Sequence, residues 1–406
     1  MFRSKLILLN MISIVSLAIP RSSEAAKEAM GNLLDSLGYT PSRPNVFIKP
    51  NIVDSLPPTD SVDTDPSVVG GLVLALADRG ANEFIIGEDS GYFSDNDNNW
   101  ERLLEESGYK SMVADLVANH GINVSLVNLE PAERDDFPWE FGTLRLPTLC
   151  KTHAYINVAK MKTHMHTTVT LATKNQKGLL LLADKKAFHL GKKYGSLHEN
   201  IKALGNAVQP ELSIIDATRA LEGSGPTVAA GETKVRRLKL CIGGTSMAET
   251  DNAACQIMGI DAAEVQHLGK VNAELAEGSE PLIPADPPFA RAKVEIKMTE
   301  NFYRHVFESA CTSCHMAMSR MFRKIMFVPE LRQAFQTYQT THGRVDLILG
   351  MASKEEIDAI ASNGGQLVFF GNCTKKLAEA FEGSIHVAGC SPDHNDAIRI
   401  LFETNV

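Results

Sequence analysis

The sequence predicts an α/β protein with a large, mostly parallel sheet flanked by helices, followed by a smaller C-terminal βαβαβα unit that carries four cysteines. In the first two-thirds of the 406 residues, short apolar runs that end in polar residues alternate with helical segments. After a proline-rich stretch at 281–288, the alternation resumes on a smaller scale. We therefore expect two domains, at residues 11–285 and 293–406.

The N-terminal residues admit two interpretations. Met1–Ala25 has the basic, apolar and small-residue regions of a signal peptide, which would make the protein exported. Alternatively, residues 15–19 form the first strand, residues 24–37 form the first helix, and Met11 is the initiator, so that residues 1–10 are not part of the mature protein. We favour the strand, because cleavage would remove it, and we expect a cytoplasmic protein.

The remaining elements follow from apolar runs and helix-capping signals. Thr64 or Asp65 can cap a helix in which Pro66 stands early, where its missing N–H is harmless, and Gly80 closes that helix. The acidic segment 130–140 predicts a surface excursion, 222–227 a glycine-rich turn, and the histidines after Lys185-Lys186 a mobile loop. Strands are predicted at 45–51, 83–90, 122–129, 144–147, 153–158, 211–218, 237–243, 345–349, 366–370 and 384–388. Helices are predicted at 67–79, 100–107, 110–119, 247–258, 262–276, 301–339 with interruptions, 354–361, 375–381 and 395–403.

Composition excludes several classes of protein. The net charge of −9 and a pI near 5.8 argue against nucleic-acid binding, which needs a basic face. Beyond the N-terminus, no run approaches the roughly 18 apolar residues of a membrane span. Seven cysteines, an odd number in a chain of this length, do not resemble a secreted disulfide framework. Cys150, Cys241 and Cys255 stand in apolar surroundings and are expected in the core.

Residues 157–178 hold the densest group of cationic side chains. The stretch has four lysines, two histidines and no acidic residue, although the whole chain is acidic. It follows the apolar run 153–158, which predicts a buried strand. Cations at the carboxyl end of such a strand indicate an anionic ligand. The alternative is a basic loop exposed to solvent.

Polar residues also end the neighbouring predicted strands, and the carboxyl ends of parallel strands share one edge of a sheet. Lysines there suit a carboxylate or phosphate, and carboxylates can orient them or hold a divalent cation. The expected binding residues for a small anionic substrate are Lys49, Asn51, Asp65, Asp89, Lys160, Asn175 and Asp216. The expected catalytic residues are His164, whose ordinary pKa lies near neutrality, and Lys162 and Lys174, whose pKa burial would lower.

Four cysteines form a second candidate site. Cys311 and Cys314 make a C-x2-C pair, whereas Cys373 and Cys390 each follow a predicted strand in a glycine-containing turn. Successive strands of a βαβ unit are parallel, so both turns are expected at the same sheet edge, beside helix N-termini that favour thiolates. Four thiolates suit an iron–sulfur cluster or structural zinc. The wide spacing favours a [4Fe–4S] cluster, because zinc ribbons have two tight pairs.

These motifs, in this order, resemble the domain-of-unknown-function 362 family over most of the chain. They are Lys49-Pro-Asn51, Thr64-Asp-Pro66, Lys160-Met-Lys-Thr-His164, Lys174-Asn175 with Gly178, His189, Asp216 with the 222–226 turn, and Asp251 before Met258-Gly259. The Cys373 and Cys390 turns resemble the cysteine-bearing tail of some members, which implies an iron–sulfur cluster. Two departures are Gln176, where the family usually has a small apolar residue, and Gly-Cys-Ser-Pro in place of Gly-Cys-Pro-Pro. No ferredoxin module is added.

Three functional hypotheses follow from the two sites. The first is an iron–sulfur redox enzyme that acts on a small anionic metabolite and exchanges electrons with a partner. The second is a redox-neutral isomerase or racemase, in which His164 and a lysine move protons and the metal is structural. The third is a non-catalytic protein that binds a metabolite or senses redox state. None of them involves nucleic acid or a membrane.

Overall fold

The computed structural model describes residues 11–89, 99–190, 194–226, 228, 233–272, 274–293, 295–307, 310 and 312–403. The chain divides into two units, one ending at Ala292 and the other beginning at Lys293. A ten-stranded sheet forms the centre of the first unit and a five-stranded sheet that of the second. The predicted α/β class, with a large, mostly parallel sheet and a smaller C-terminal one, is confirmed.

The first unit contains twelve labelled strands and nine labelled helices. The strands are β1 (Met11–Ser16), β2 (Asn45–Pro50), β3 (Glu83–Glu88), β4 (Val124–Asn128), β5 (Arg134–Trp139), β6 (Gly142–Pro147), β7 (Ala154–His164), β8 (Thr168–Thr170), β9 (Leu212–Gly223), β10 (Thr233–Arg236), β11 (Leu240–Gly244) and β12 (Glu274–Leu275). The helices are α1 (Ser23–Ser36), α2 (Pro66–Ala77), α3 (Asn99–Glu106), α4 (Tyr109–His120), α5 (Leu149–Thr152), α6 (Ala172–Asn175), α7 (Leu182–Leu190), α8 (Leu197–Ala207) and α9 (Met247–Met258).

The large sheet has the strand order β12-β1-β11-β9-β7-β2-β3-β4. Strands β9, β7, β2, β3 and β4 run parallel to one another, whereas β11 is antiparallel to both β9 and β1. The short strands β8 and β10 fold back as antiparallel extensions of β7 and β9. The carboxyl ends of four neighbouring parallel strands, β9, β7, β2 and β3, therefore meet at one edge, where ligands of such sheets bind.

Apolar layers cover both faces of this sheet. Along β7, Ile156 and Val158 belong to the layer under α1 and α2, whereas Ala159 and Met161 belong to the layer under α9. This alternation is the period-two pattern of a strand buried on both faces. Gly71 of α2 lies so close to Ala26 of α1 that a Cβ atom would not fit there, so the two helices pack tightly.

The first strand was predicted at residues 15–19 and lies at Met11–Ser16, where it pairs with β11 and β12. The existence of a strand here is confirmed and its bounds are corrected, because the run begins earlier, with buried Ile12 and Ile14. Residues 1–10, including the basic part of the proposed signal peptide, lie outside the described residues.

Three other local predictions for the first unit are wrong. Segment 130–140 is not a simple surface excursion, because β5 pairs with β6 and buries Phe137 and Trp139. Residues 262–276 do not form a helix; only the 3-10 turn Ala262–Glu264 is helical. The region after Lys185-Lys186 is helical in α7 and α8, where Phe188, Ile201 and Leu204 pack into the core.

The second unit has a five-stranded sheet in the order β13-β14-β15-β16-β17, in which all strands from β14 onward are parallel. The strands are β13 (Glu295–Thr299), β14 (Phe302–Val306), β15 (Val345–Leu349), β16 (Gln366–Phe370) and β17 (Ile385–Val387). The helices are α10 (Thr312–Phe327), α11 (Pro329–His342), α12 (Lys354–Ala361), α13 (Lys375–Ala378) and α14 (His394–Ile398). The predicted helix at 301–306 is wrong, because Phe302 and Val306 are buried on a strand that pairs on both sides. Across the part of the chain that is described, no helix is long and apolar enough to cross a membrane.

Candidate functional site

The basic stretch begins within strand β7, not after it. The strand was predicted to end at Val158 and continues to His164, so Lys160, Lys162 and His164 are strand residues. All three are buried, and the two lysines have 0% exposed surface. The alternative of a solvated basic loop is therefore wrong for these residues, and each buried cation needs a compensating partner or a function.

Three buried ion pairs hold the sheet edge together. Lys49 Nζ lies 2.7 Å from Glu88 Oε2, Lys160 Nζ lies 2.7 Å from Asp216 Oδ2, and Lys185 contacts Asp89. Four predicted binding residues, Lys49, Asp89, Lys160 and Asp216, thus have their charge compensated by the protein itself. Breaking such a pair leaves an uncompensated buried charge, so these residues stabilise the edge on which the site is built.

Asp216 is the most heavily used carboxylate of the edge. Besides Lys160, its oxygens accept hydrogen bonds from the backbone N–H of Asp65, at 2.9 Å, and from the N–H and hydroxyl of Thr218. Asp65 in turn caps helix α2 through the N–H of Ser67 and lies 2.6 Å from Arg219. Burial, reinforced by Asp216, raises the pKa of Asp65. Asp65 therefore serves as a structural cap and ion-pair partner.

Asn175 connects α6 to strands β2 and β7. Its Oδ1 accepts hydrogen bonds from Asn51 Nδ2 at 3.1 Å and from Lys49 Nζ at 3.4 Å, and its Nδ2 donates to Asn157 Oδ1 at 2.8 Å. Gly178 follows three residues later, and a Cβ atom there would collide with the Lys49–Glu88 pair. The amide network therefore brings the predicted residues Asn51 and Asn175 together.

Asp251 of α9 fixes the start of α6. Its two oxygens accept the N–H groups of Ala172 and Thr173, at 2.7 and 2.9 Å. Burial raises the pKa of Asp251 to about 6. These hydrogen bonds lower the pKa, but their effect is smaller than that of burial. Because α6 is only four residues long, this anchor determines where Lys174 points.

A second group of cationic side chains lies on the same strand and beyond it, and we call it the basic cluster: Lys162, His164, His166, Lys174, Lys177 and His189. Lys162 Nζ donates to the carbonyl of Val62 at 2.6 Å, and Lys174 Nζ donates to Thr170 Oγ1 at 2.9 Å. Lys177 Nζ lies 2.7 Å from His189 Nε2. The rings of His164 and His166 are 5.5 Å apart, and those of His166 and His189 are 6.4 Å apart. The cluster thus joins β7, α6 and α7.

Burial and neighbouring cations lower the pKa of three members of the basic cluster, Lys174, His164 and His189. Burial, followed by Lys177 and Lys162, holds the pKa of Lys174 well below its ordinary value. Burial, followed by Lys174 and His166, holds the pKa of His164 well below its ordinary value, and the pKa of His189 is lowered in the same way. Among the described residues, no carboxylate offsets the lowering of the Lys174 pKa. The cluster is therefore a place where negative charge is stabilised.

The protonation of His164 differs from the expectation of a near-neutral pKa. The lowered pKa keeps the imidazole neutral at pH 7 in the free protein. Its Nδ1 accepts the N–H of His166 at 3.0 Å, which leaves the proton on Nε2. His164 is thus prepared to donate one hydrogen bond, and a bound anion would raise its pKa.

Two features of the site were missed from sequence. The first is Asp63, a buried residue that follows Val62, whose carbonyl accepts the hydrogen bond of Lys162. Burial raises the pKa of Asp63 to about 7, although the charge of Lys162 opposes the rise. His198 and His267 stack with ring centroids 5.5 Å apart, and burial with the nearby cations lowers the pKa of His267 to about 3. Asp63 could have been suspected from its place beside Thr64-Asp65, whereas no spacing rule links His198 to His267.

In the second unit, two glycine turns bring cysteines together. A Cβ atom on Gly371 would lie 3.0 Å from Cys314 Sγ and 3.7 Å from Cys373 Sγ, so both sulfurs face this glycine, whose φ is +99°. Asn372 N donates to the carbonyl of Gly389 at 2.9 Å, and Gly389 N donates to Asn372 Oδ1 at 2.8 Å. This reciprocal pair ties the turn of Cys373 to that of Cys390.

The cysteine set suits a metal centre in its donor chemistry. Cys311 lies outside the described residues, and among those that are described no group of three or more His, Cys, Asp or Glu side chains forms a metal site. Cys314 is in the first turn of α10 and Cys373 is in the 3-10 turn before α13. Two cysteine sulfurs at helix starts, beside a glycine that lets them approach the backbone, have the donor chemistry of a thiolate-ligated cluster.

Comparison with known proteins identifies the large unit. A thylakoid-associated protein of Synechocystis, sll1697, is 26% identical over 225 residues, which cover 53% of this chain and 66% of that protein, just under two-thirds of its length. No solved structure matches significantly. Residues 46–256, about half of the chain, match the domain of unknown function DUF362. They include the three ion pairs, the basic cluster and Asp251, and the chain belongs to the DUF362 family.

Proposed function

We propose that the large unit binds a small anionic metabolite, a carboxylate or phosphate, in the basic cluster. The observation that carries this proposal is the environment of Lys174. Its amine is held among cations and donates a hydrogen bond to the hydroxyl of Thr170, and burial, Lys177 and Lys162 all disfavour its charged form. Natural proteins retain such unfavourable electrostatics mainly where a ligand compensates them.

The roles within this site follow from the geometry of the side chains. Lys174 and Lys162 would neutralise the anion, and neutral His164 would donate from Nε2. An anion would restore the ordinary charge of Lys174, because an opposite charge favours the protonated amine. Lys49 and Lys160, which are paired with Glu88 and Asp216, would stabilise the sheet edge without binding the anion themselves.

Calorimetric titration tests this proposal directly. We expect inorganic phosphate or malonate to bind to the ligand-free protein with one site per chain, and to raise its melting temperature as binding to the native state requires. Neutral glycerol is the control and should do neither. If no member of a panel of small anions binds or stabilises the protein, the proposed anion site is wrong.

We propose further that Cys311, Cys314, Cys373 and Cys390 hold an iron–sulfur cluster of the [4Fe–4S] type. The approach of two sulfurs to Gly371 and the hydrogen-bonded turns of Cys373 and Cys390 support this set. When bound, such a cluster would supply one-electron redox chemistry. The leading function is then a redox enzyme for an anionic metabolite with an electron-transfer partner. Such a cluster needs cysteines that have not formed disulfides, and cysteines stay reduced in an environment such as the cytoplasm.

Anaerobic reconstitution with iron and sulfide is expected to give about four irons per chain by the stoichiometry of four-thiolate clusters. The protein should develop a broad absorption band in the visible region. C373S should lose most of the bound iron, whereas C241S, which changes a buried cysteine of the large unit, should keep it. Zinc without iron in the purified protein would point to a structural metal instead.

A redox-neutral reaction is the second candidate, and Asp63 with Lys162 favours it. The pKa of Asp63 rises to about 7 and that of Lys162 falls to about 8, chiefly by burial in both cases. Groups that titrate near neutrality can transfer protons in either direction. For this candidate, loss of the cluster in C373S would lower stability more than turnover, whereas a redox enzyme would lose turnover.

A further inference from the structure

Three buried oxygen atoms lie unused on the loop that connects β2 to α2. They are Asn51 Oδ1, Ser61 Oγ and Asp63 Oδ2, and none has a hydrogen-bond partner in the part of the chain that the structure describes. The parent side chains are at most 8% exposed. Because a buried polar atom without a partner destabilises a folded protein, three within one loop call for an explanation.

The loop itself is closed by hydrogen bonds that fix these residues. Asn51 and Thr64 are joined twice, by Asn51 N to Thr64 Oγ1 at 3.0 Å and by Thr64 N to the carbonyl of Asn51 at 2.9 Å. Val53 N donates to Asp63 Oδ1 at 2.6 Å. The backbone of Asn51 and the carboxylate of Asp63 are thus held in place, and the Asn51 side chain is held by its hydrogen bond to Asn175, while Asn51 Oδ1 and Asp63 Oδ2 are left over as acceptors.

This loop lies directly beside the basic cluster. Lys162 Nζ donates to the carbonyl of Val62, the residue before Asp63. Asn51 Nδ2 donates to Asn175, the residue after Lys174. Asp63 is also close enough to Lys162 for the two charges to influence each other's pKa. The loop therefore meets the basic cluster at Lys162, and Asn51 is tied through Asn175 to the helix that carries Lys174.

The three oxygens differ in chemistry from the cluster they adjoin. An amide oxygen is an acceptor only, a hydroxyl can accept, and an ionised carboxylate oxygen accepts strongly. The buried residue Ser61 has a left-handed backbone conformation, with φ of +59°, which serine seldom adopts. A ligand that fills both regions must carry negative charge on one side and hydrogen-bond donors on the other.

We infer that the ligand of the proposed anion site bears a hydroxyl or amino group next to its anionic group, and that Asn51, Ser61 and Asp63 bind this donor. The inference rests on the proposed function, since it adds a second contact to the same ligand. It narrows the substrate class to hydroxy acids, amino acids or hydroxylated phosphates. Sites built to hydrogen-bond a ligand hydroxyl discriminate strongly against the analogue that lacks it.

Matched ligands separate this inference from the proposed function. Calorimetry is carried out with glycolate against acetate and with glycerol 3-phosphate against propyl phosphate, pairs that differ in their hydroxyl groups. In at least one pair the hydroxylated ligand should bind about 10-fold tighter or more, as a hydrogen bond to a charged group implies. If both members of each pair bind equally, the inference is overturned while the anion site stands. If no ligand binds, both are overturned.

Two variants locate the donor site. D63A should reduce the preference for the hydroxylated ligand to about 3-fold or less, while acetate or propyl phosphate still binds. S61G keeps the left-handed backbone, which glycine adopts readily, and should reduce the preference without unfolding the loop. A preference that is unchanged in S61G and in folded D63A would contradict the assignment of these residues.

Discussion

Replacing Lys160 by methionine is expected to lower the free energy of unfolding by about 3–5 kcal/mol, the usual cost of breaking a buried ion pair from one side. Methionine fills the volume of the lysine stem but leaves Asp216 without its cation at 2.7 Å. Both side chains have 0% exposed surface, so water cannot replace the lost charge. Urea unfolding followed by circular dichroism measures the change as a shift of the midpoint.

The matched control is K27M, which breaks an ion pair on the surface. Lys27 lies 3.0 Å from Asp78, with side chains 32% and 58% exposed. An exposed pair contributes roughly 0–1 kcal/mol, so this variant should unfold close to the wild-type midpoint. Equal effects of K160M and K27M would show that Lys160 is not a structural cation.

Replacing Lys174 should impair ligand binding and not stability, which is the opposite of the effect expected for Lys160. K174M is expected to weaken the binding of inorganic phosphate by about 10- to 100-fold, as loss of a charged hydrogen bond implies, without lowering the stability of the free protein. The folded-state pKa of Lys174 is depressed, so the unfolded chain binds its proton more readily than the native protein does. Charge at this position therefore opposes folding at pH below the ordinary lysine value, and methionine removes that cost.

Urea unfolding followed by circular dichroism gives the stability of K174M, and calorimetric titration of the same sample gives its affinity for phosphate. A variant that unfolds earlier than the wild type and binds phosphate with unchanged affinity would mean that Lys174 is structural. The comparison with K160M matters because both lysines lie near the same sheet edge. Lys160 is fully buried against a carboxylate, whereas Lys174 is partly buried and donates to a hydroxyl.

The sequence predicted the sheet well because its strands obey simple patterns. Buried runs that end in polar residues marked β2, β3 and β9, and the shared edge follows from parallel strand order. Strand β7 was cut short at Val158 because lysine is rare in strand interiors, whereas Asp216 and the carbonyl of Val62 make Lys160 and Lys162 acceptable there. Such long-range partners are invisible to local patterns.

The candidate site could be predicted only in part for the same reason. Sequence placed Lys49, Lys160, Lys162 and Lys174 in one anion-binding group. The structure divides them by their partners, since Lys49 and Lys160 face carboxylates whereas Lys162 and Lys174 face neutral oxygens. Asp63 went unnoticed because its position depends on a hydrogen bond across the loop to Val53.

We expect the basic cluster to carry less than its full positive charge until an anion binds, because the pKa values of Lys174 and His164 are lowered in the free protein. The number of protons taken up on binding measures this directly. Malonate, which is fully ionised at pH 7.5 and therefore neither gives up nor takes up protons there, is titrated into the wild-type protein in buffers that differ in ionisation enthalpy, and the slope of the observed enthalpy gives the protons bound. Since an anion raises the depressed pKa values of Lys174 and His164, we predict a net uptake that is smaller in K174M. Binding without proton uptake, or an uptake unchanged in K174M, would contradict the account.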